Sequence, residues 1–208
     1  MTKPILYGAD YSVYVRIARM TLEEKGVAYE LFPLDIFAAE GIPAWYLEHH
    51  PFGRIPAFEH DGFRLFETNA IARYVDEAFD GPALQPADPR GRARMGQMTG
   101  MLDAYGYRAM VWDVAVERLE KAEPDESLIA GSLRQAETVL KVLSSLKPPG
   151  PWLLGDQVTL ADLHAAPIIG YFLKVAEGQK LLAQFSDIQG WYTRIAARPS
   201  FARTEKIG

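Results

Sequence analysis

Two short stretches carry residues able to hold a small anionic ligand: His50-Pro-Phe-Gly-Arg-Ile-Pro-Ala-Phe58 and Glu67-Thr68-Asn69. Ile55-Pro56 reads as a tight turn entering a strand, which leaves the backbone of Ile55 as an edge. Glu67-Thr68 falls where a strand pattern gives way to the helical pattern Asn69-Ala-Ile-Ala-Arg-Tyr-Val-Asp76. N–H groups at a helix start lack intrahelical acceptors and attract anions. A backbone edge at Ile55 and a helix N-terminus at Thr68 facing one cavity would suit a peptide-like anion. The main chain would hold its amide and the helix end its carboxylate. A second resource is hydroxyl groups: Ser12 opens a helical pattern, with Tyr11 beside it and Tyr7 on the preceding strand. By position alone Ser12 is an ordinary N-cap, Tyr7 a core aromatic, and Tyr11 a residue in register with the helix core face.

Other chemistries are thinly represented. There is no Cys, so neither a thiolate metal site nor a cysteine nucleophile is available. Four scattered His make no metal constellation, and the adjacent His49-His50 read as solvated turn residues. The net charge of -5, with basic residues dispersed along the chain, argues against a nucleic-acid surface. No apolar run is long enough to span a bilayer. The start, Met1-Thr-Lys-Pro-Ile-Leu-Tyr7, reads as a short strand and not as a secretory apolar segment. Together these point to a cytoplasmic protein without a metal.

The elements that must position these residues follow from periodicity. Pro4 to Gly8 reads as a buried strand. Tyr11, Val15, Ala18 and Leu22 then recur on one helical face, and Gly26 ends that helix after Lys25. Tyr29 to Asp35 reads as a second strand, completing a right-handed βαβ unit. Ile36 to His50 is a loop with a helical turn at Ala44-Trp-Tyr-Leu47. Ala57–His60 and Phe63–Phe66 flank Asp61-Gly62, a strong hairpin signal. A helix from Thr68 to Phe79 closes a βαβ–ββα unit.

Asp80-Gly-Pro-Ala-Leu-Gln-Pro-Ala-Asp-Pro89 cannot continue a helix or a central strand, so a domain boundary falls there. Everything beyond is helical in period. A long helix runs from Arg90 to about Ala122, bent at Gly100 or Gly106, and a second spans Glu126 to Leu146. Thr159-Leu-Ala-Asp162 is a capping-box variant that opens a nearly all-apolar helix from Leu160 to about Ala176. Shorter helices cover Gly178–Phe185 and Asp187–Ala197, and Arg198-Pro-Ser-Phe201 ends the last.

Four segments, in order, resemble those of the glutathione transferases. Ser12-Val-Tyr-Val-Arg-Ile-Ala-Arg-Met-Thr-Leu-Glu-Glu-Lys-Gly26 resembles the first helix of that family. Pro51-Phe-Gly-Arg-Ile-Pro56 resembles the turn whose proline is cis. Glu67-Thr-Asn-Ala-Ile71 resembles the Glu-Ser-x-Ala-Ile of the glutathione site, and Leu154-Gly-Asp-Gln-Val-Thr-Leu-Ala-Asp162 resembles the capping-box motif of the helical domain. The match covers essentially the whole chain and looks like a serine-type, theta- or phi-like bacterial member. It implies an α/β thioredoxin-like domain over residues 1–80, a linker over 81–89, and an all-α domain over 90–208.

The resemblance also implies roles. Glutathione is the co-substrate, and its thiol must be held as thiolate to attack an electrophile. A thiol near pKa 8.5 is only a few per cent ionised at neutral pH, and a hydroxyl donor at a helix N-terminus lowers that value. Serine-type members place a serine where Ser12 stands, while tyrosine-type members use a tyrosine at the end of the first strand, near Tyr7; Tyr11 is a further rival. Val13 stands where serine-type members usually have Pro. Ile55, before a cis Pro56, would pair its backbone with the cysteinyl part. Thr68 would take the γ-glutamyl carboxylate, Glu67 the ammonium, and Arg54 would reach glutathione too. No residue matches the group that holds the glycyl carboxylate.

Tyr105, Tyr107, Arg108 and Trp112 are candidates for contact with a small hydrophobic electrophile, although aromatics at helical spacing also suit a core. Phe52 either inserts into the partner of a homodimer, as in some classes, or anchors its own loop. The alternatives are a glutathione-dependent isomerase, dehalogenase or peroxidase, or a binding protein without catalysis. Isomerases of the superfamily usually carry a Ser-Ser-Cys run before the first helix, and none is present here.

Overall fold

A computed structural model describes residues 2–205, which form two compact units. Unit 1 comprises the chain up to Ala83 together with the stretch from Pro199 onward; unit 2 runs from Leu84 to Arg198.

Unit 1 is a four-stranded sheet with helices. Its strands β1 (Ile5–Gly8), β2 (Glu30–Pro33), β3 (Ala57–His60) and β4 (Phe63–Phe66) lie in the order β2-β1-β3-β4. β1 and β2 are parallel, joined by α1 (Val13–Lys25); β3 is antiparallel to both β1 and β4. The alternation read over Tyr29–Asp35 yields a strand only from Glu30 to Pro33, after which the Leu34 N–H still donates to the Gly8 carbonyl at 3.2 Å; Pro33 sits on an edge strand, where its missing N–H is tolerated. The hairpin turns on Asp61 and Gly62 with φ of 50° and 80°, the left-handed pair that a two-residue turn requires. α2 (Thr68–Ala78) follows β4 and packs with α1, and the core between helices and sheet is built from Leu6, Val15, Ala18, Leu22, Phe58, Ile71 and Val75. At the far end of α1 the buried Lys25 pairs with Asp76 at 3.1 Å and donates to the carbonyls of Asp76 and Pro82. Gly81 closes over this knot, since a Cβ there would stand 2.7 Å from the Lys25 carbonyl oxygen.

Unit 2 is helical. α3 (Pro89–Met101) begins at Asp88, whose carboxylate accepts from the N–H groups of Arg90 and Gly91. The helix continues through π-helical windings at Leu102–Gly106 and Arg108–Val116 before α4 (Glu117–Glu120). Gly106, within the first of these windings, is buried beside Leu102 and Val139. α5 (Glu126–Leu146) and α6 (Leu160–Phe172) pack on this stretch. Two side-chain links tie them to it: Asp103 to His164 at 2.7 Å, and Ser132 to Asp113 at 3.2 Å. α7 (Ala176–Leu182) and α8 (Ser186–Ala196) complete the unit. α6 ends at Phe172, short of its apolar run, and Gly178 approaches that end so closely that a Cβ would lie 2.0 Å from the Phe172 carbonyl oxygen. α8 ends before Arg198-Pro-Ser-Phe201 as expected, but it is not the last helix, as α9 (Pro199–Arg203) follows and returns to α1 in unit 1.

Candidate functional site

The strand register brings the chemical residues of unit 1 to one end of the sheet. Tyr7 lies opposite Ala57, and Ala57 opposite Phe66. The end of β1, the start of β3 and the end of β4 are therefore neighbours. Ser12 follows the first, Ile55-Pro56 precedes the second and Glu67-Thr68 follows the third. The Ile55–Pro56 bond is cis. Gly8 allows the close approach here: a Cβ on it would meet the Val15 side chain at 2.4 Å and Ile55 Cβ at 3.5 Å.

At the N-terminus of α1, the Ser12 N–H donates to the Ala9 carbonyl at 3.2 Å, and its Oγ accepts from the Val15 N–H at 3.4 Å. Capping uses the hydroxyl as acceptor only, so its proton remains to be given. The tyrosines differ. The Tyr11 hydroxyl donates to Asp35 Oδ1 at 2.6 Å, the same oxygen that accepts from the Phe37 N–H at 2.9 Å. Burial and then this bond to a carboxylate raise the Tyr11 pKa. Tyr7 is buried, its ring set against Phe32, Trp45, Tyr46 and His49. Burial, with a contribution from Glu59, raises its pKa as well.

The N-terminus of α2 is built differently. Thr68 is the first helical residue, buried, and the position before the helix is Glu67, which makes no side-chain cap hydrogen bond. Glu67 has φ of 71°, a left-handed conformation that is unfavourable by about 1–3 kcal/mol for such a residue and recurs at ligand-holding turns. The Ile71 N–H closes the first turn on the Glu67 carbonyl at 3.0 Å. The helix-start N–H groups and the Thr68 hydroxyl thus form an anion-attracting end. Arg54 is exposed, while its carbonyl accepts from the Tyr46 hydroxyl at 2.6 Å.

The reading of His49 and His50 as solvated is corrected. His49 is half-buried and bonded to Glu59 at 3.2 Å, and its ring stacks on Tyr46. His50 is only 3 % exposed, its ring 4.8 Å from that of Phe66. It lies between the two turns of the site, where burial lowers its pKa while Glu67 raises it and Arg54 lowers it further. A short helical turn, Ala44–Glu48, directs these rings inward: the His50 N–H donates to the Tyr46 carbonyl at 2.9 Å. No neighbour in the chain signals this burial, since Pro51 and Phe52 are exposed and the ring that shelters His50, Phe66, lies beyond the hairpin.

In unit 2, Tyr105 and Trp112 are exposed and flank the π-helical change of winding. The Trp112 Nε1–H donates to the Tyr107 hydroxyl at 3.1 Å, and Arg108 pairs with Asp113 at 3.2 Å. Among the described residues no cluster of His, Asp or Glu has the makings of a metal site, and no helix is long and apolar enough to cross a membrane.

A mixed β2-β1-β3-β4 sheet with a cis proline entering β3, followed in the chain by an all-helical unit, defines a thioredoxin-like domain with a helical C-terminal part. Residues 6–83 match the glutathione S-transferase N-terminal domain, and residues 104–199 the glutathione S-transferase C-terminal domain. Glutathione S-transferase F13 of Arabidopsis thaliana is 28% identical over 95% of this chain and 93% of the relative. The solved structure of a glutathione S-transferase III in apo form is 30% identical, with a TM-score of 0.85, covering 98% of this chain and 95% of that one. A glutathione S-transferase of Methylobacterium radiotolerans, in complex with glutathione sulfonate, is 26% identical with a TM-score of 0.80, covering 100% of this chain and 96% of that one. The chain belongs to the glutathione S-transferase family, whose members are transferases. The plant relatives give the bacterial origin expected from the sequence no support.

Proposed function

We propose that this protein is a serine-type glutathione transferase in which Ser12 stabilises the glutathione thiolate. The observation that carries this reading is the state of three hydroxyls. Ser12 caps α1 through its oxygen and keeps its proton, whereas Tyr11 gives its proton to Asp35 and Tyr7 is buried among aromatic rings. A hydrogen bond from Ser12 to the sulfur, beside the positive end of α1, favours the anion. Lowering a thiol pKa by one unit takes about 1.4 kcal/mol, within reach of one charge-assisted hydrogen bond. The thiolate then attacks an electrophilic carbon, the C–S bond forms, and the leaving group departs with the electron pair of its bond.

The rest of unit 1 holds the tripeptide. The Ile55 backbone, presented at Pro56, pairs with the cysteinyl amide. The α2 N-terminus and Thr68 take the γ-glutamyl carboxylate, Glu67 takes the ammonium, and Arg54 adds charge from the rim. The relative solved with glutathione sulfonate supports glutathione as the ligand. The rings of Tyr105, Tyr107 and Trp112 in unit 2, with the Arg108 side chain among them, receive a small hydrophobic electrophile, with detoxification as the biological use. The protein acts in the cytoplasm as a homodimer, with Phe52, 73 % exposed on its loop, as the residue offered to the partner.

The test is conjugation of glutathione to a chlorinated nitrobenzene, run beside retention on glutathione resin. Turnover with retention is the expected result. Retention without turnover would leave a binding protein, and neither would remove glutathione from the reading.

A further inference from the structure

The polar stripe of α1 is covered, and what covers it is the C-terminal stretch. Ser12, Arg16, Arg19 and Glu23 follow one another at helical spacing along one side of this helix. Residues 199–205 bond to three of the four. Arg16 Nη2–H donates to the Phe201 carbonyl at 2.9 Å, its Nε–H to Thr204 Oγ1 at 3.5 Å, and its guanidinium lies 4.0 Å over the centre of the Phe201 ring. Arg19 donates to the carbonyls of Arg203 and Thr204, both at 3.3 Å, and to the Tyr29 hydroxyl at 3.1 Å. Arg203 pairs with Glu23 at 3.3 Å, and the Ser200 hydroxyl donates to Glu24. Ser200, Phe201 and Thr204 are buried by these contacts.

The fourth member of the stripe, Ser12, is reached through Arg16. The Arg16 backbone N–H donates to the Ser12 carbonyl at 2.9 Å. One residue is therefore bonded to the sulfur-facing serine by its main chain and to the C-terminal stretch by its side chain. We propose that Arg16 is a positioning residue for Ser12, with residues 199–205 acting as the strap that holds it. The strap fixes the rotation of the first turn of α1, and with it the aim of the Ser12 hydroxyl. A hydroxyl held within a few tenths of an ångström gives a shorter, stronger bond to an anion than one free to swing. The inference rests on the Ser12 reading above.

The test is the pH profile of kcat/KM for the electrophile at saturating glutathione, which reports the acidity of the bound thiol. Arg16→Met is expected to move its midpoint up by about half a unit or more, with the glutathione Kd within about twofold of wild type. Arg16→Lys, which keeps a cation over the ring, should recover part of the shift. Phe201→Leu, which removes the ring and keeps an apolar side chain, should move the midpoint in the same direction. In a Ser12→Ala background Arg16→Met should add nothing. A wild-type midpoint in both Arg16→Met and Phe201→Leu would overturn the strap, as would a full additional shift without Ser12. If Ser12→Ala itself leaves the midpoint in place, it is the Ser12 reading that fails.

Discussion

Two helices of this protein begin at a threonine, and the two starts are built in opposite ways. At α6 the start is closed. Asp162, fully buried, accepts from the Thr159 N–H at 2.8 Å, the Thr159 hydroxyl at 2.9 Å, the Leu153 N–H at 2.8 Å and the Trp191 Nε1–H at 2.7 Å. At α2 the start is open. Thr68 lies inside the first turn, and Glu67 occupies the cap position with left-handed backbone and makes no side-chain cap hydrogen bond. An internal carboxylate therefore fills at α6 the place that, in our reading, the carboxylate of glutathione fills at α2. A helix start with its own acid is structural; one without it, held in an unfavourable turn, is available to a ligand.

The largest expected effect breaks the closed start. Asp162→Ala leaves buried donors at Leu153, Thr159 and Trp191 without an acceptor. Unsatisfied buried groups are unfavourable by about 1–3 kcal/mol each, so a loss of about 3 kcal/mol or more is expected in urea denaturation. A loss under about 1 kcal/mol would mean that the capping network is not what stabilises α6.

The next effect concerns the third helix start, at Ser12, which is capped by its own hydroxyl and keeps a proton to donate. Ser12→Ala should lower turnover at saturating glutathione about tenfold or more, equivalent to about 1.4 kcal/mol, and leave the glutathione Kd near wild type. Tyr11→Phe should change turnover little, since that hydroxyl serves Asp35. Should Ser12→Ala keep full turnover, the role passes to Tyr7 or Tyr11.

A smaller pair of changes sharpens the contrast between the open and closed starts. Thr68→Ala should weaken glutathione binding by about tenfold in calorimetry, with a stability change of about 1 kcal/mol or less. Thr159→Ala should do the reverse, lowering stability by about 1–2 kcal/mol and sparing the affinity. An unaltered Kd in Thr68→Ala would take Thr68 out of the site.

What could be read in advance was whatever the chain specifies locally. The Asp61-Gly62 turn, the Thr159-x-x-Asp162 box and the helix that ends at Gly26 each depend on a few adjacent residues, and each appears in the structure. The open start at Thr68 was only half legible. Thr before a helical pattern reads as a cap, and that Glu67 takes the cap position depends on how β4 delivers the chain. Burial of the polar stripe on α1 was not legible, because Arg16 and Arg19 look like a solvated face until residues 199–205 are laid on them. The π-helical winding had no signature beyond Gly106, since the links from Asp103 to His164 and from Asp113 to Ser132 join positions far apart in the chain. His50 was misread for the same reason: the ring that shelters it, Phe66, lies beyond the hairpin.

The smallest expected effect uses His50 to probe the open site from behind. Its pKa in the folded protein lies below the ordinary 6.5, chiefly because burial disfavours the imidazolium, and Arg54 lowers it further against the pull of Glu67. The folded state therefore binds fewer protons at this position than the unfolded chain. Its contribution to stability is complete above pH 6.5 and is lost progressively as the pH falls below that value toward the lowered folded-state pKa. The urea midpoint of the wild type should thus decline as the pH is taken from about 7 to about 5. His50→Asn, which cannot take up the proton, should flatten that decline. Because the ring lies between the turns that carry Arg54 and Glu67, the glutathione Kd should weaken over the same interval in wild type and not in the variant. The closed start at α6 gives the control, since Thr159→Ala should keep the wild-type pH dependence of the Kd. If His50→Asn retains both declines, the proton is taken up elsewhere and His50 does not couple the two turns.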